Sequence, residues 1–187
     1  MGLYELFING QRIGEQVLAP APTDYRKTIL YNTYDVTPQL QKENAIGVIL
    51  GNGRFYTMRQ NYKPYKIPTF GYPKLRLNLI IEYTDGSRQT IASDISWKLT
   101  TEGPIRSNNE YDGEEYDARK ELGDWNRTGY DDTNWIPAGR VSIPSGTLRA
   151  QMMPGMKVTE SLKPVSIRKQ GDKHILDIGQ NMAGWLR

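Results

Sequence analysis

Apolar residues along this chain recur at every second position in short runs, and almost nowhere at the three-to-four-residue spacing of a helix. The clearest run covers residues 75–83 and puts Leu75, Leu77, Leu79 and Ile81 on one face. Asp85-Gly86 supplies a turn into a second strand over residues 88–92. Near the start, the strand-forming residues of 2–18 are divided by Asn9-Gly10, the pair best suited to the two positive-φ positions of a type I′ hairpin turn. That turn predicts Leu6 opposite Ile13 and Tyr4 opposite Glu15.

Further strands are expected over residues 29–36, over 45–50 up to Gly51-Asn-Gly53, and over 96–100 around Trp97. A closing strand is expected over 141–150, and a last hairpin joins 166–169 to 174–178 through Gly171-Asp172. Thr37-Pro38 predicts one helical turn to about Gln41, with the Thr37 hydroxyl as cap and proline at the first helical position. Residues 54–73 and 107–119 lack a clear period and read as surface loops, while residues 125–135 are turn-rich with a tryptophan at each end. Glycine (18), proline (11) and tyrosine (12) punctuate these runs as in a sandwich. The fold class is therefore all-β, a β-sandwich of jelly-roll (galactose-binding-like) type and mostly antiparallel. Residues 1–150 are expected to form the sandwich, 151–164 a linker, and 165–187 the first strands of a following β-domain. The abrupt strand patterns at both ends suggest a piece of a larger protein.

Charge narrows the partners. The 24 Lys and Arg are interspersed with 21 Asp and Glu, giving a net +3 without any basic block, so nucleic acid is not an expected partner. No apolar run approaches the ~20 residues of a membrane-spanning helix, and no membrane partner is expected. With no cysteine, thiolate nucleophiles and thiolate metal sites are excluded. A serine triad would need the single histidine, His174, which sits beside a turn where a solvated role is expected, and no Gly-x-Ser-x-Gly elbow occurs. No cofactor fingerprint or metal-ligand spacing is present, so no cofactor and no metal are expected.

Two groups of residues carry candidate chemistry. Glu110, Asp112, Glu114, Glu115 and Asp117, with Tyr111 and Tyr116, form an acidic stretch that reads as a glycosidase carboxylate pair, as oxygen ligands, or as a solvated loop. Phe55, Tyr56, Tyr62, Tyr65, Phe70 and Tyr72 accompany Arg54, Arg59, Lys63 and Lys66. Rings with flanking polar groups suit sugars, and aromatic and arginine enrichment equally marks protein interfaces. The carbohydrate-binding or domain-interface candidates are Arg54, Tyr56, Tyr62, Tyr65, Glu110, Tyr111 and Glu114. Trp97, Trp125 and Trp135 are expected to pack in the core or at sheet edges.

Several motifs are more specific. Gly2-Leu-Tyr-Glu-Leu-Phe-Ile-Asn-Gly10, Thr23-Asp-Tyr25, Tyr31-Asn-Thr-Tyr-Asp-Val-Thr37 and Asn44-Ala-Ile-Gly-Val-Ile-Leu-Gly51 occur in order. They continue with Glu82-Tyr-Thr-Asp-Gly-Ser87, Tyr111-Asp-Gly-Glu-Glu-Tyr-Asp-Ala-Arg119, Tyr130-Asp-Asp-Thr-Asn-Trp135, Glu160-Ser-Leu-Lys-Pro-Val165 and Asp177-Ile-Gly-Gln-Asn-Met-Ala-Gly-Trp185. Across nearly its whole length the chain resembles the N-terminal region of bacterial α-L-rhamnosidases of glycoside hydrolase family 78. The resemblance implies a parent enzyme that removes terminal α-L-rhamnose with inversion, using an acid and a base about 6.5–9.5 Å apart. In that family these two residues lie in a later (α/α)₆ barrel, so no catalytic residue is carried onto this chain. The implied partners are the remaining domains of the parent and rhamnose-containing glycans, and the implied location is periplasmic or extracellular. Asn52-Gly-Arg-Phe-Tyr56 departs from the family's more usual Gly-Trp-Tyr element.

Overall fold

The computed structural model describes residues 1–56 and 69–185. Its strands are β1 (Leu3–Ile8), β2 (Gln11–Ile13), β3 (Thr28–Tyr31), β4 (Ile46–Gly51), β5 (Asn78–Glu82), β6 (Arg88–Ala92) and β7 (Lys98–Leu99). They continue as β8 (Ile105–Asn109), β9 (Gly113–Tyr116), β10 (Ile136–Pro137), β11 (Thr147–Ala150), β12 (Ser166–Gln170) and β13 (Lys173–Asp177). Among the described residues the only helical pieces are 3-10 turns, so the all-β, mostly antiparallel fold is present as the two-residue period predicts. The chain divides into two units, Met1–Met156 and Lys157–Arg187.

The first unit is organised around the sheet β2-β1-β4, antiparallel throughout. Asn9 (φ 52°) and Gly10 (φ 82°) make the turn, and Leu6 faces Ile13. Tyr4 does not face Glu15. Gly14 adopts φ 79°, which ends β2 at Ile13, and Tyr4 instead bridges Ala19. One face of the sheet buries Ile8 and Ile13. The opposite face carries Phe7, whose ring meets Trp125 edge-on at 5.6 Å; Trp125 then stacks on Trp135 at 6.4 Å. Gly47 lies opposite Phe7 because the Trp125 ring occupies that space: a Cβ there would fall 2.5 Å from its Cζ3.

Elsewhere the structure corrects the expected boundaries. The strand expected over 29–36 stops at Tyr31, after which Asn32 turns its amide to the Tyr4 hydroxyl at 2.9 Å. The Thr37 hydroxyl does not cap the turn at Thr37–Gln39: Val36 holds the N-cap position, and Asp35 Oδ1 accepts the Thr37 N–H at 3.0 Å. The closing strand is confined to β11 and pairs in parallel with β3, Leu148 opposite Ile29. Residues 107–119 are not a loop. They carry most of a hairpin, β8–β9, whose turn is held by Asn109 Oδ1 accepting the Tyr111 and Asp112 N–H groups at 2.8 and 2.7 Å. β5 and β6 pair as predicted, with Leu79 and Ile81 the less exposed positions of β5, but the strand expected over 75–83 begins only at Asn78, so Leu75 and Leu77 precede it. In the second unit β12 and β13 form the expected hairpin, with Lys169 opposite His174.

Candidate functional site

Beyond β4 the chain makes a 3-10 turn over Gly53–Phe55, in which Asn52 accepts the Phe55 N–H at 3.1 Å. Gly53 is required twice over, since its φ is +46° and a Cβ would lie 2.8 Å from Leu3 Cγ. The turn splits its side chains. Phe55 points inward and is wholly buried, meeting Tyr25 edge-on at 5.1 Å and Phe70 stacked at 5.4 Å. Its expected surface position is thereby corrected: a run without a period had concealed a core residue. The returning chain is tied down where Phe70 N–H donates to Phe55 O at 3.0 Å.

Arg54 and Tyr56 flank Phe55, Arg54 exposed and Tyr56 half-buried. Arg54 Nε lies 3.1 Å from Glu110 Oε2 at the β8–β9 turn. With the two side chains 44% and 37% exposed, this pair contributes about 0–1 kcal/mol. Tyr56 stacks on Tyr72 at 5.1 Å, and Tyr72 is 74% exposed. Lys74 sits over the Phe55 ring at 4.8 Å and donates to the carbonyls of Phe70 (2.8 Å) and Tyr72 (3.4 Å). Below them Tyr25 has its phenol pKa pushed up by burial, with nearby Arg54 opposing the shift and Glu110 adding to it.

Asn52 and Asn108, which sequence reasoning missed, join the turn to β8. Asn52 N–H donates to Asn108 Oδ1 at 2.7 Å, and Asn52 Nδ2 donates to Asn108 O at 2.6 Å. The Gly-Asn-Gly context of Asn52 was the one available signal. Of the sequence candidates, Arg54 and Glu110 come together, while Tyr56 stacks on Tyr72. Tyr111 occupies the adjoining turn, and Glu114 lies on exposed β9 opposite Asn108. Tyr62 and Tyr65 lie outside the described residues. The remaining carboxylates have local duties: Asp112 accepts from Asn109 Nδ2 at 3.0 Å, and Asp117 pairs with Arg119 at 2.7 Å. Among the described residues no group of three or more His, Asp or Glu could hold a metal ion. The exposed Tyr72 ring and the half-exposed Arg54 guanidinium are the groups here suited to stacking and to hydrogen bonding.

The family model for the α-L-rhamnosidase N-terminal domain matches residues 1–160. The chain belongs to that family. An α-L-rhamnosidase of Formosa agariphila is 42% identical over the whole chain, which covers 20% of that protein. The solved α-L-rhamnosidase structure from Dictyoglomus thermophilum has 43% identity and a TM-score of 0.85, over 97% of this chain and 20% of its own. The Streptomyces avermitilis α-L-rhamnosidase, solved in complex with L-rhamnose, has 34% identity and a TM-score of 0.87, over 97% of this chain and 18% of its own. This rhamnosidase N-terminal domain thus spans about a fifth of the length of the relatives it matches.

Proposed function

We propose that this chain is a non-catalytic accessory module of an α-L-rhamnosidase, joined in the parent to domains that supply the carboxylate acid and base. The observation that carries this reading is coverage: the whole chain aligns with only about a fifth of each relative. The chemistry of the surface agrees, because Glu110 is engaged by Arg54 and Asp117 by Arg119. The purified 187-residue chain is expected to leave an aryl α-L-rhamnoside intact. Turnover that disappears when Glu110 and Glu114 are changed to Gln would overturn it.

A second reading is favoured by the exposed Tyr72 ring stacked on Tyr56, and by the half-exposed Arg54–Glu110 pair on the same turn region. On this reading the module also binds glycan, as an aromatic face with flanking hydrogen-bonding groups suits a sugar ring. The presence of L-rhamnose in the Streptomyces avermitilis structure supports a rhamnose-containing ligand. Titration calorimetry with rhamnose and rhamnose-containing oligosaccharides separates the roles, since no heat at millimolar sugar leaves the structural role alone.

A further inference from the structure

Resting on the accessory-module reading, we propose that the apolar strip formed by residues 147–156 and the backbone beside them docks this module on a domain of the parent enzyme outside these 187 residues. Backbone pairing makes the strip continuous. β11 lies parallel to β3, with Leu148 opposite Ile29 and Ala150 opposite Tyr31, so Leu148 and Tyr31 share the face of the buried Ile29. Beyond β11, Gln151 N–H donates to Tyr31 O at 2.9 Å, and Gln151 Oε1 accepts the Ala21 N–H at 2.9 Å. The chain then runs beside residues 16–18. Gly155 packs on Gln16, where a Cβ would fall 2.5 Å from Cδ, and Val17 N–H donates to Met156 O at 2.8 Å.

This strip leaves large apolar side chains in water. Met152 is 95% exposed, Met153, Met156 and Leu18 are each more than half exposed, and Tyr31 and Leu148 nearly half. Leu18 also holds φ 52°, a left-handed conformation that a leucine rarely adopts, so the fold keeps an apolar side chain outside at a cost in backbone strain. Across residues 16–21, 28–31 and 147–156 the only charged side chain is Arg149, in a chain that is 24% charged. Depletion of charge together with methionine and tyrosine marks the core of a protein interface, and methionine adapts to an irregular apolar partner. The partner follows from length and place. The chain covers about a fifth of each relative, so most of a parent of that size lies in other domains. The strip runs to Met156, where the first unit ends, close to residue 160, where the match to an N-terminal domain stops. A domain joined through that point is held at high effective concentration, which keeps a modest apolar contact closed.

Methionine oxidation by dilute hydrogen peroxide, followed residue by residue by mass spectrometry, tests this in the full-length parent and in the 187-residue chain. In the chain alone Met152, Met153 and Met156 should form sulfoxide near the rate of a short methionine peptide. In the parent they should react about tenfold more slowly, because burial denies the reagent access to the thioether. Met152→Lys changes a side chain that is almost wholly in solvent, so it should leave the unfolding midpoint of the chain alone unchanged. In the parent it should lift the protection of Met153 and Met156, because a buried, unpaired ammonium opens the contact. Oxidation as fast in the parent as in the chain alone overturns the proposal while the accessory-module reading stands, and so does protection that persists in Met152→Lys. Protection that appears in the chain alone as its concentration rises assigns the strip to a second copy and overturns it too. The reading on which the proposal rests fails by a different measurement, turnover of an aryl α-L-rhamnoside by the chain alone.

Discussion

Asn52 and Asn108 grip each other twice, each using one main-chain and one side-chain group: Asn52 N–H to Asn108 Oδ1 at 2.7 Å, and Asn52 Nδ2 to Asn108 O at 2.6 Å. These two bonds fasten β8 to the turn that carries Arg54. Asn108→Ala removes one of the two bonds and leaves the Asn52 N–H without its partner. The expected cost is about 1 kcal/mol of stability, read from urea unfolding. Amide exchange at Phe55 should accelerate with it.

Gly47 and Gly139 make a paired test of packing. At Gly47 a Cβ would meet Trp125 Cζ3 at 2.5 Å and Asn126 Cβ at 3.0 Å, whereas nothing lies within 4 Å at Gly139. Gly47→Val should destabilise by about 1–3 kcal/mol as the indole is forced off Phe7. Gly139→Ala should change the thermal midpoint little. Trp fluorescence should shift only in the former.

These contrasts also show where sequence reasoning reaches. The pairing of Leu6 with Ile13 was legible because Asn9-Gly10 dictates a two-residue turn, and β5–β6 because Asp85-Gly86 divides two alternating runs. The partner of Tyr4 was not, because nothing in a Gly14-Glu15 pair announces that Gly14 will take φ 79° and end the strand. The β8–β9 hairpin reads as a loop in sequence because Arg106, Ser107, Asn108, Glu114 and Glu115 are polar on both faces and leave no alternation to detect. For the site, residue types pointed to Arg54, Tyr56 and Glu110. The partnership of Asn52 with Asn108 spans 56 positions and runs through amides, which carry no periodic trace.

Phe55 provides the base on which the candidate surface is laid. It is wholly buried between Tyr25 and Phe70, with the Lys74 ammonium on its ring. Phe55→Ala should cost about 3–5 kcal/mol, seen as a lower urea midpoint. Phe55→Leu retains most of the volume and should cost less while losing the cation–π contact of Lys74.

Tyr34 makes stability depend on alkaline pH. Its hydroxyl is 2.9 Å from that of Tyr4, which also accepts from Asn32 Nδ2 at 2.9 Å, and its ring fills the space where Gly14 lacks a side chain. Burial, followed by the Tyr4 phenol, raises the Tyr34 pKa above its ordinary 10.0. In the unfolded chain the phenol loses its proton near that ordinary value, while the folded state still holds it. The extra stability is therefore fully present below about pH 10 and declines as pH rises beyond it. Tyr34→Phe should be less stable at pH 7 by about 1 kcal/mol, through loss of one hydrogen bond. Its unfolding midpoint should then fall less steeply than that of the unaltered chain above pH 10, so that the two curves converge. Tyr25, whose pKa is raised mainly by burial, contributes in the same direction and leaves a residual slope in the variant. Parallel curves across pH 9–11 would exclude Tyr34 as the titrating group.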